Sequence, residues 1–187
     1  YSGATQINGG TLAMAATSSI ALSSGVGLSA GNIFNISAGN QTIQDLSGTG
    51  GTVTLGASTL TFGSANSTAY SGLIQGTGGV KKVGTGTMTF NGGNTYSGAT
   101  QINAGTLAVA AASSIASSSG VNLTASGTFD ISAGDQTIQD LNGTGGTVAL
   151  GASTFTFGTS NNTTYSGLIQ GTGNITKIGT GTATFNH

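Results

Sequence analysis

Short apolar-x-apolar triplets bounded by Gly, Asn or Ser recur along the chain, which is the period-two signature of a half-buried strand. The first half supplies Leu12-Ala13-Met14, Val26-Gly27-Leu28, Phe34-Asn35-Ile36, Val53-Thr54-Leu55, Leu60-Thr61-Phe62 and Met88-Thr89-Phe90. Turn clusters stand between them, among them Asn8-Gly9-Gly10, Gly48-Thr49-Gly50-Gly51 and Asn91-Gly92-Gly93-Asn94. The Ala-rich stretch Leu12 to Leu22 comes nearest to a helical period, but its Thr and Ser content weakens it. The pattern therefore predicts many strands of three to five residues and almost no helix.

The pattern repeats. Tyr1-Ser2-Gly3-Ala4-Thr5-Gln6-Ile7-Asn8 returns as Tyr96-Ser97-Gly98-Ala99-Thr100-Gln101-Ile102-Asn103, and the offset of 95 holds to the end without a gap, with about 68 of 92 aligned positions identical. The chain reads as a unit at 1–95 followed by a nearly complete second unit at 96–187, continuous with the first. Differences between the copies act as an internal test of orientation. Triplet centres change freely (Gly27 to Asn122, Asn35 to Asp130, Thr54 to Ala149), whereas flanking positions stay apolar (Met14 to Val109, Leu60 to Phe155, Val80 to Ile175). Centres should face solvent and flanks the core. Leu22 to Ser117, Ile33 to Thr128 and Met88 to Ala183 break volume matching, which predicts peripheral or locally repacked sites.

Short strands whose rhythm runs straight through the junction favour a parallel β-solenoid over a sandwich, which would show longer strands and a linker. Coils of roughly 19 to 24 residues would give four or five per unit and eight to ten in the chain, a rod roughly 40 to 50 Å long.

Composition narrows the function classes. Gly, Thr, Ser and Asn supply 104 of the 187 residues, there is no Arg, Glu, Cys, Trp or Pro, and formal net charge is −1. Three lysines cannot neutralise a nucleic-acid backbone, so nucleic acid is not an expected partner. No apolar run reaches the roughly 18 residues of a membrane-spanning helix. No start of the signal-peptide kind is present, and a chain opening on Tyr1 without Met reads as an excised piece of something longer.

Candidate chemistry is sparse. The carboxylates are Asp45, Asp130, Asp135 and Asp140, too few and too scattered for the paired acids of a glycosidase or for six to eight calcium ligands. Asp130, between Phe129 and Ile131, should face solvent. Asp45 and Asp140, each within Gln-Thr-Ile-Gln-Asp-Leu, read as turn or cap residues in preference to sugar or metal contacts. Lys82 and Lys177 match between copies and are expected to lay their stems over apolar wall. Gly76-Thr77-Gly78-Gly79 and Gly84-Thr85-Gly86 open no helix and lack the phosphate-loop lysine. His187 reads as the first residue of a purification tag, and the sequons at Asn35 and Asn174 are expected by chance at this composition. No catalytic, cofactor-binding or metal-binding residue and no cofactor is therefore assigned.

From Val80-Lys81-Lys82-Val83-Gly84-Thr85-Gly86-Thr87-Met88-Thr89-Phe90 through Asn94-Thr95-Tyr96-Ser97-Gly98 to Thr100-Gln101-Ile102-Asn103-Ala104-Gly105-Thr106-Leu107, order and spacing resemble the autotransporter-associated β-strand repeat. Pieces of the motif recur at 1–12 and 177–185. The resemblance implies a right-handed parallel β-helix in a passenger exported to the surface of a Gram-negative bacterium, with an outer-membrane β-barrel at the C-terminus of the parent chain. It implies a non-enzymatic segment serving as rigid stalk and in adhesion, self-association or biofilm formation. Expected partners are adjacent repeats, identical chains stacking by end or side, and host or bacterial surface glycans. An extracellular filament or fibre is one alternative. An ice-binding solenoid is another, since Thr85-x-Thr87-x-Thr89 and Thr59-x-Thr61 supply outward Thr ranks; a β-helical carbohydrate enzyme is disfavoured by the missing acid and base.

Overall fold

The computed structural model describes residues 1–110 and 115–186, and none of these is helical. Every strand pairing is parallel. Thr5 pairs with Val26, 21 residues on, and Phe90 with Val109, 19 on, so the chain climbs by one short coil per pairing. About nine coils stack into a β-solenoid with three walls.

The first wall runs Thr5–Ile7, Val26–Leu28, Leu46–Gly48, Thr68–Tyr70 and Thr87–Phe90, then on through the later halves of Thr100–Val109 and Val121–Asp130 to Thr147–Gly151 and Leu168–Gly171. Thr11–Ala13, Ile33–Asn35, Thr52–Thr54 and Leu73–Gln75 form the second wall, which Gln136–Thr137, Phe155–Phe157 and Ile175–Lys177 occupy in the later coils. The third wall comprises Gln41–Thr42, Leu60–Phe62, Val80–Lys82, the first halves of Thr100–Val109 and Val121–Asp130, then Leu141–Gly143, Thr163–Tyr165 and Ala183–Phe185.

The 95-residue repeat does not close a whole number of coils. Thr5–Ile7 stands on the first wall and its counterpart Thr100–Ile102 on the third; Leu60–Phe62 stands on the third and Phe155–Phe157 on the second. At the junction Thr87–Phe90 is therefore capped by Thr106–Val109, the counterpart of a second-wall strand. One repeat spans four coils and two further walls.

Apolar flanks fill the interior. Phe34, Ile36, Val53, Leu55, Leu60, Phe62, Ile102 and Phe129 are fully buried, and ring contacts such as Phe62 to Phe90 (6.0 Å) and Phe129 to Phe155 (6.1 Å) link strands of different walls. Centres such as Asn35, Thr54 and Thr61 are partly exposed. Leu22 is peripheral at 73% exposure, and Ser117 is exposed as well. Met88 is not peripheral: it is a core residue, and the smaller Ala183 fills its place in the last described coil.

Two strands exceed the expected three to five residues. Thr100–Val109 and Val121–Asp130 run ten residues each because pairing continues round the corner, past a register shift between Ile102 and Ala104. In the first copy the same corner, Asn8-Gly9-Gly10, interrupts pairing; Ala104 replaces Gly9 and pairs with Ser126.

Truncating Phe62 to Ala should cost about 3–5 kcal/mol, because the fully buried ring leaves a cavity between coils. Leu22→Ala should change stability by no more than about 0.5 kcal/mol. Urea unfolding followed by far-ultraviolet circular dichroism measures both.

Candidate functional surfaces

Asp45, Asp135, Asp140 and Lys82 serve as brackets between coils. Asp45, almost fully buried, accepts from Ser64 N (3.2 Å), Ser64 Oγ (2.9 Å) and Asn66 Nδ2 (2.8 Å), all one coil on. Its counterpart Asp140 accepts from Thr159 Oγ1 (2.8 Å) and Asn161 Nδ2 (2.7 Å). Both carboxylates thus cross to the neighbouring coil, where a local turn was expected. Asp130 is half-buried and accepts from Ser132 N (2.8 Å); Asp135 accepts from Thr154 N (2.7 Å), as Asn40 does from Thr59 N in the first copy. Among the described residues no three His, Cys, Asp or Glu side chains gather into a metal site.

Lys82 departs from the sequence expectation. Its side chain points inward, in register between Phe62 and Ile102, and is 1% exposed. The stem packs in the core while Nζ donates to Val83 O (2.6 Å), Gly84 O (3.0 Å) and, on the next coil, Ala104 O (3.3 Å). Burial pushes the ammonium below its ordinary range, and the nearby Asp45 charge opposes that shift. This explains the Lys-x-Gly-x-Gly spacing. Gly84 takes a left-handed φ of 66° to turn its carbonyl toward Nζ, and a Cβ at Gly86 would collide with Asn66 O. Lys177 repeats the first two bonds, to Ile178 O (2.5 Å) and Gly179 O (3.2 Å), on the last coil.

The Asn-Thr-Tyr-Ser-Gly segment is also structural, a role that the strand pattern alone does not assign to it. Asn94 Oδ1 accepts from Ile74 N (2.9 Å) and its Nδ2 donates to Gly92 O (3.1 Å), so the side chain completes the ladder where the second wall lacks a strand. Tyr96 Oη meets Thr100 Oγ1 at 2.6 Å, Thr100 meets Ser118 Oγ at 2.9 Å, and Ser118 Oγ donates to Gly98 O (2.9 Å). Tyr1, Thr5, Ser23 and Gly3 build the same relay in the first coil. Among the described residues no carboxylate joins either chain of hydroxyls.

Outward side chains form ranks, one residue per coil. On the third wall the rank runs Thr42, Thr61, Lys81, Gln101, Asn122, Asn142, Thr164, Thr184. A groove of about 480 Å³ opens between two of its coils, lined by Gln101, Asn103, Asn122, Leu123 and Thr124. The change from Gly27 to Asn122 was visible in the sequence as an altered outward centre. Its neighbours in the rank were not, because register brings them together.

Burial raises three phenols: Tyr165 to about 12, and Tyr70 and Tyr96 upward as well. Unfolded phenols titrate near their ordinary value of 10, so this contribution to stability is complete below pH 10 and disappears as pH rises through the folded values. Lys82, shifted down, acts oppositely and favours the folded chain as pH approaches 10.5 from below. The urea midpoint should fall above pH 10, less steeply in Tyr165→Phe. Tyr70 Oη is buried without a hydrogen bond among the described residues, whereas Tyr165 Oη donates to Gly146 O (3.1 Å) and Leu168 O (3.2 Å). At neutral pH Tyr70→Phe should therefore raise stability by about 1 kcal/mol and Tyr165→Phe lower it by about 1 kcal/mol.

Residues 1–14 and 80–109, which hold the lysine corner, the junction and the tyrosine relays, match the Passenger-associated-transport-repeat. The Adhesin BmaC autotransporter of Brucella suis biovar 1 (strain 1330) is 34% identical over 199 residues, covering 97% of this chain and 6% of that protein. No solved structure matches the chain. The coil that opens the chain and the coils at its centre thus carry the passenger-associated-transport repeat, built here as a β-solenoid.

Proposed function

We propose that the chain is a non-enzymatic segment of a secreted bacterial surface protein, a rigid stalk whose walls also take part in adhesion. The observation that carries this reading is similarity to an autotransporter adhesin along 97% of the chain. That similarity spans 6% of the relative, so a parent chain with a C-terminal outer-membrane β-barrel and display at the cell surface belong to the same proposal. Carboxylates committed to bracing coils support the absence of catalysis, since an acid or base must be free to exchange a proton with substrate.

Self-association, with biofilm growth or filaments as its outcome, belongs to the same proposal; the parallel register by which one coil caps the next supports it. The ice-binding alternative finds little support, because the longest run of outward Thr, Thr87, Thr106, Thr128 and Thr147 on the first wall, covers four coils and ends at Leu168, while Lys81, Gln101, Asn122 and Asn142 break the third-wall rank.

Beads coated with the purified chain should attach to bacterial or epithelial surfaces above beads coated with an inert protein of similar charge. Attachment no better than the control would overturn the adhesive reading. Sedimentation velocity should show a species growing with concentration. A monomer at every concentration would remove end-to-end stacking.

A further inference from the structure

We propose that the groove on the third wall, between Gln101–Asn103 and Asn122–Thr124, is a binding site for a neutral, hydroxyl-rich sugar chain. The argument rests on a difference between two nearly identical repeats. In the first copy the corresponding residues are Gln6, Asn8, Gly27 and Ser29. The Gln6 carboxamide lies over Gly27, its Oε1 only 2.5 Å from where a Cβ would stand, and Ser29 Oγ donates to Asn8 Oδ1 at 2.9 Å. Both amides there are engaged or packed down.

In the second copy Asn122 replaces Gly27, and its Cβ takes the space that the glutamine covers in the first. Gln101, exposed as Gln6 is, therefore has no glycine beneath it to fold over. Thr124, in place of Ser29, donates to the backbone carbonyl of Asn103 (2.7 Å) and leaves the Asn103 carboxamide unclaimed. The side-chain amides of Gln101, Asn103 and Asn122 have no intramolecular hydrogen bond among the described residues. Three free carboxamides line one groove of about 480 Å³, within the roughly 300–1,000 Å³ range of ligand sites.

Each carboxamide offers a donor and an acceptor side by side, the complement of adjacent hydroxyls on a sugar ring. No charged side chain lines the groove, so a neutral chain matches its lining; Lys81, one coil below Gln101 in the outward rank, would instead attract a carboxylated chain, and the test separates the two. The proposal deepens the adhesive reading by naming a ligand class and a site. Loss of bead attachment would sink that reading, while a silent groove with attachment intact would sink only this one.

The test is side-chain amide NMR of the isotopically labelled 187-residue chain, titrated with neutral gluco-, manno- and galacto-oligosaccharides and with oligogalacturonate. Gln101, Asn103 and Asn122 signals should shift saturably with at least one neutral sugar, at a Kd of about 1 mM or tighter. Asn122→Gly, which restores the first-copy residue, should weaken binding at least about tenfold. Gly27→Asn should create a second site that shifts Gln6 and Asn8; Gly27 does not use the left-handed backbone region, so asparagine fits its conformation. The proposal falls if no neutral sugar gives a saturable shift, if Asn122→Gly leaves binding unchanged, or if only oligogalacturonate binds and Lys81→Ala abolishes it.

Discussion

Each residue of this solenoid sits about one strand spacing, roughly 4.8 Å, above the residue that occupies its place in the coil below. That parallel register governs what the chain can be made of. A charge placed in an outward rank meets whatever the neighbouring coils place beside it, and like charges at that spacing repel. Thr, Asn, Gln and Gly stack without this cost. The scarcity of charge, which in the sequence reads as a series of excluded functions, follows from the way the coils are laid.

The few charges that remain are turned to the same problem. A coil corner exposes carbonyls and amides that no strand ladder satisfies, and burying them unpaired is costly. Lys82 supplies donors to three such carbonyls from inside the core, and Asp45 and Asp140 gather donors from the next coil. The lysine and glycines of the repeat motif are thus one device, a corner whose backbone is bent toward a buried cation. Tyr96 and Asn94 perform a comparable service where two repeats meet.

Strand positions, parallel stacking and the sides of each triplet were legible in the sequence because alternation and self-similarity report directly on which atoms are buried. Phe34-Asn35-Ile36 and Val53-Thr54-Leu55 orient as their patterns predict. Lys82 was illegible in the same terms: it ends an apolar-x-apolar triplet begun by Val80, yet charge argued for the surface, and only the carbonyls gathered at the corner explain its burial. Met88 looked peripheral because its counterpart is small, but Ala183 lies in the last described coil, where fewer neighbours demand volume. The groove escaped notice because Gln101 and Asn122 stand 21 residues apart, and their adjacency belongs to register, which triplets alone do not set.

The failure of 95 residues to close a whole number of coils bears on how a surface is offered to the outside. A feature present once per repeat returns two-thirds of a turn around the axis each time, so three repeats, about 14 coils or roughly 67 Å, bring it back to its starting direction. In an array built at this pitch, a patch found on one wall of one repeat would be aimed in three directions along the shaft. Such a shaft has no blind side, and its contacts would not depend on how it happens to be rotated at the moment of encounter.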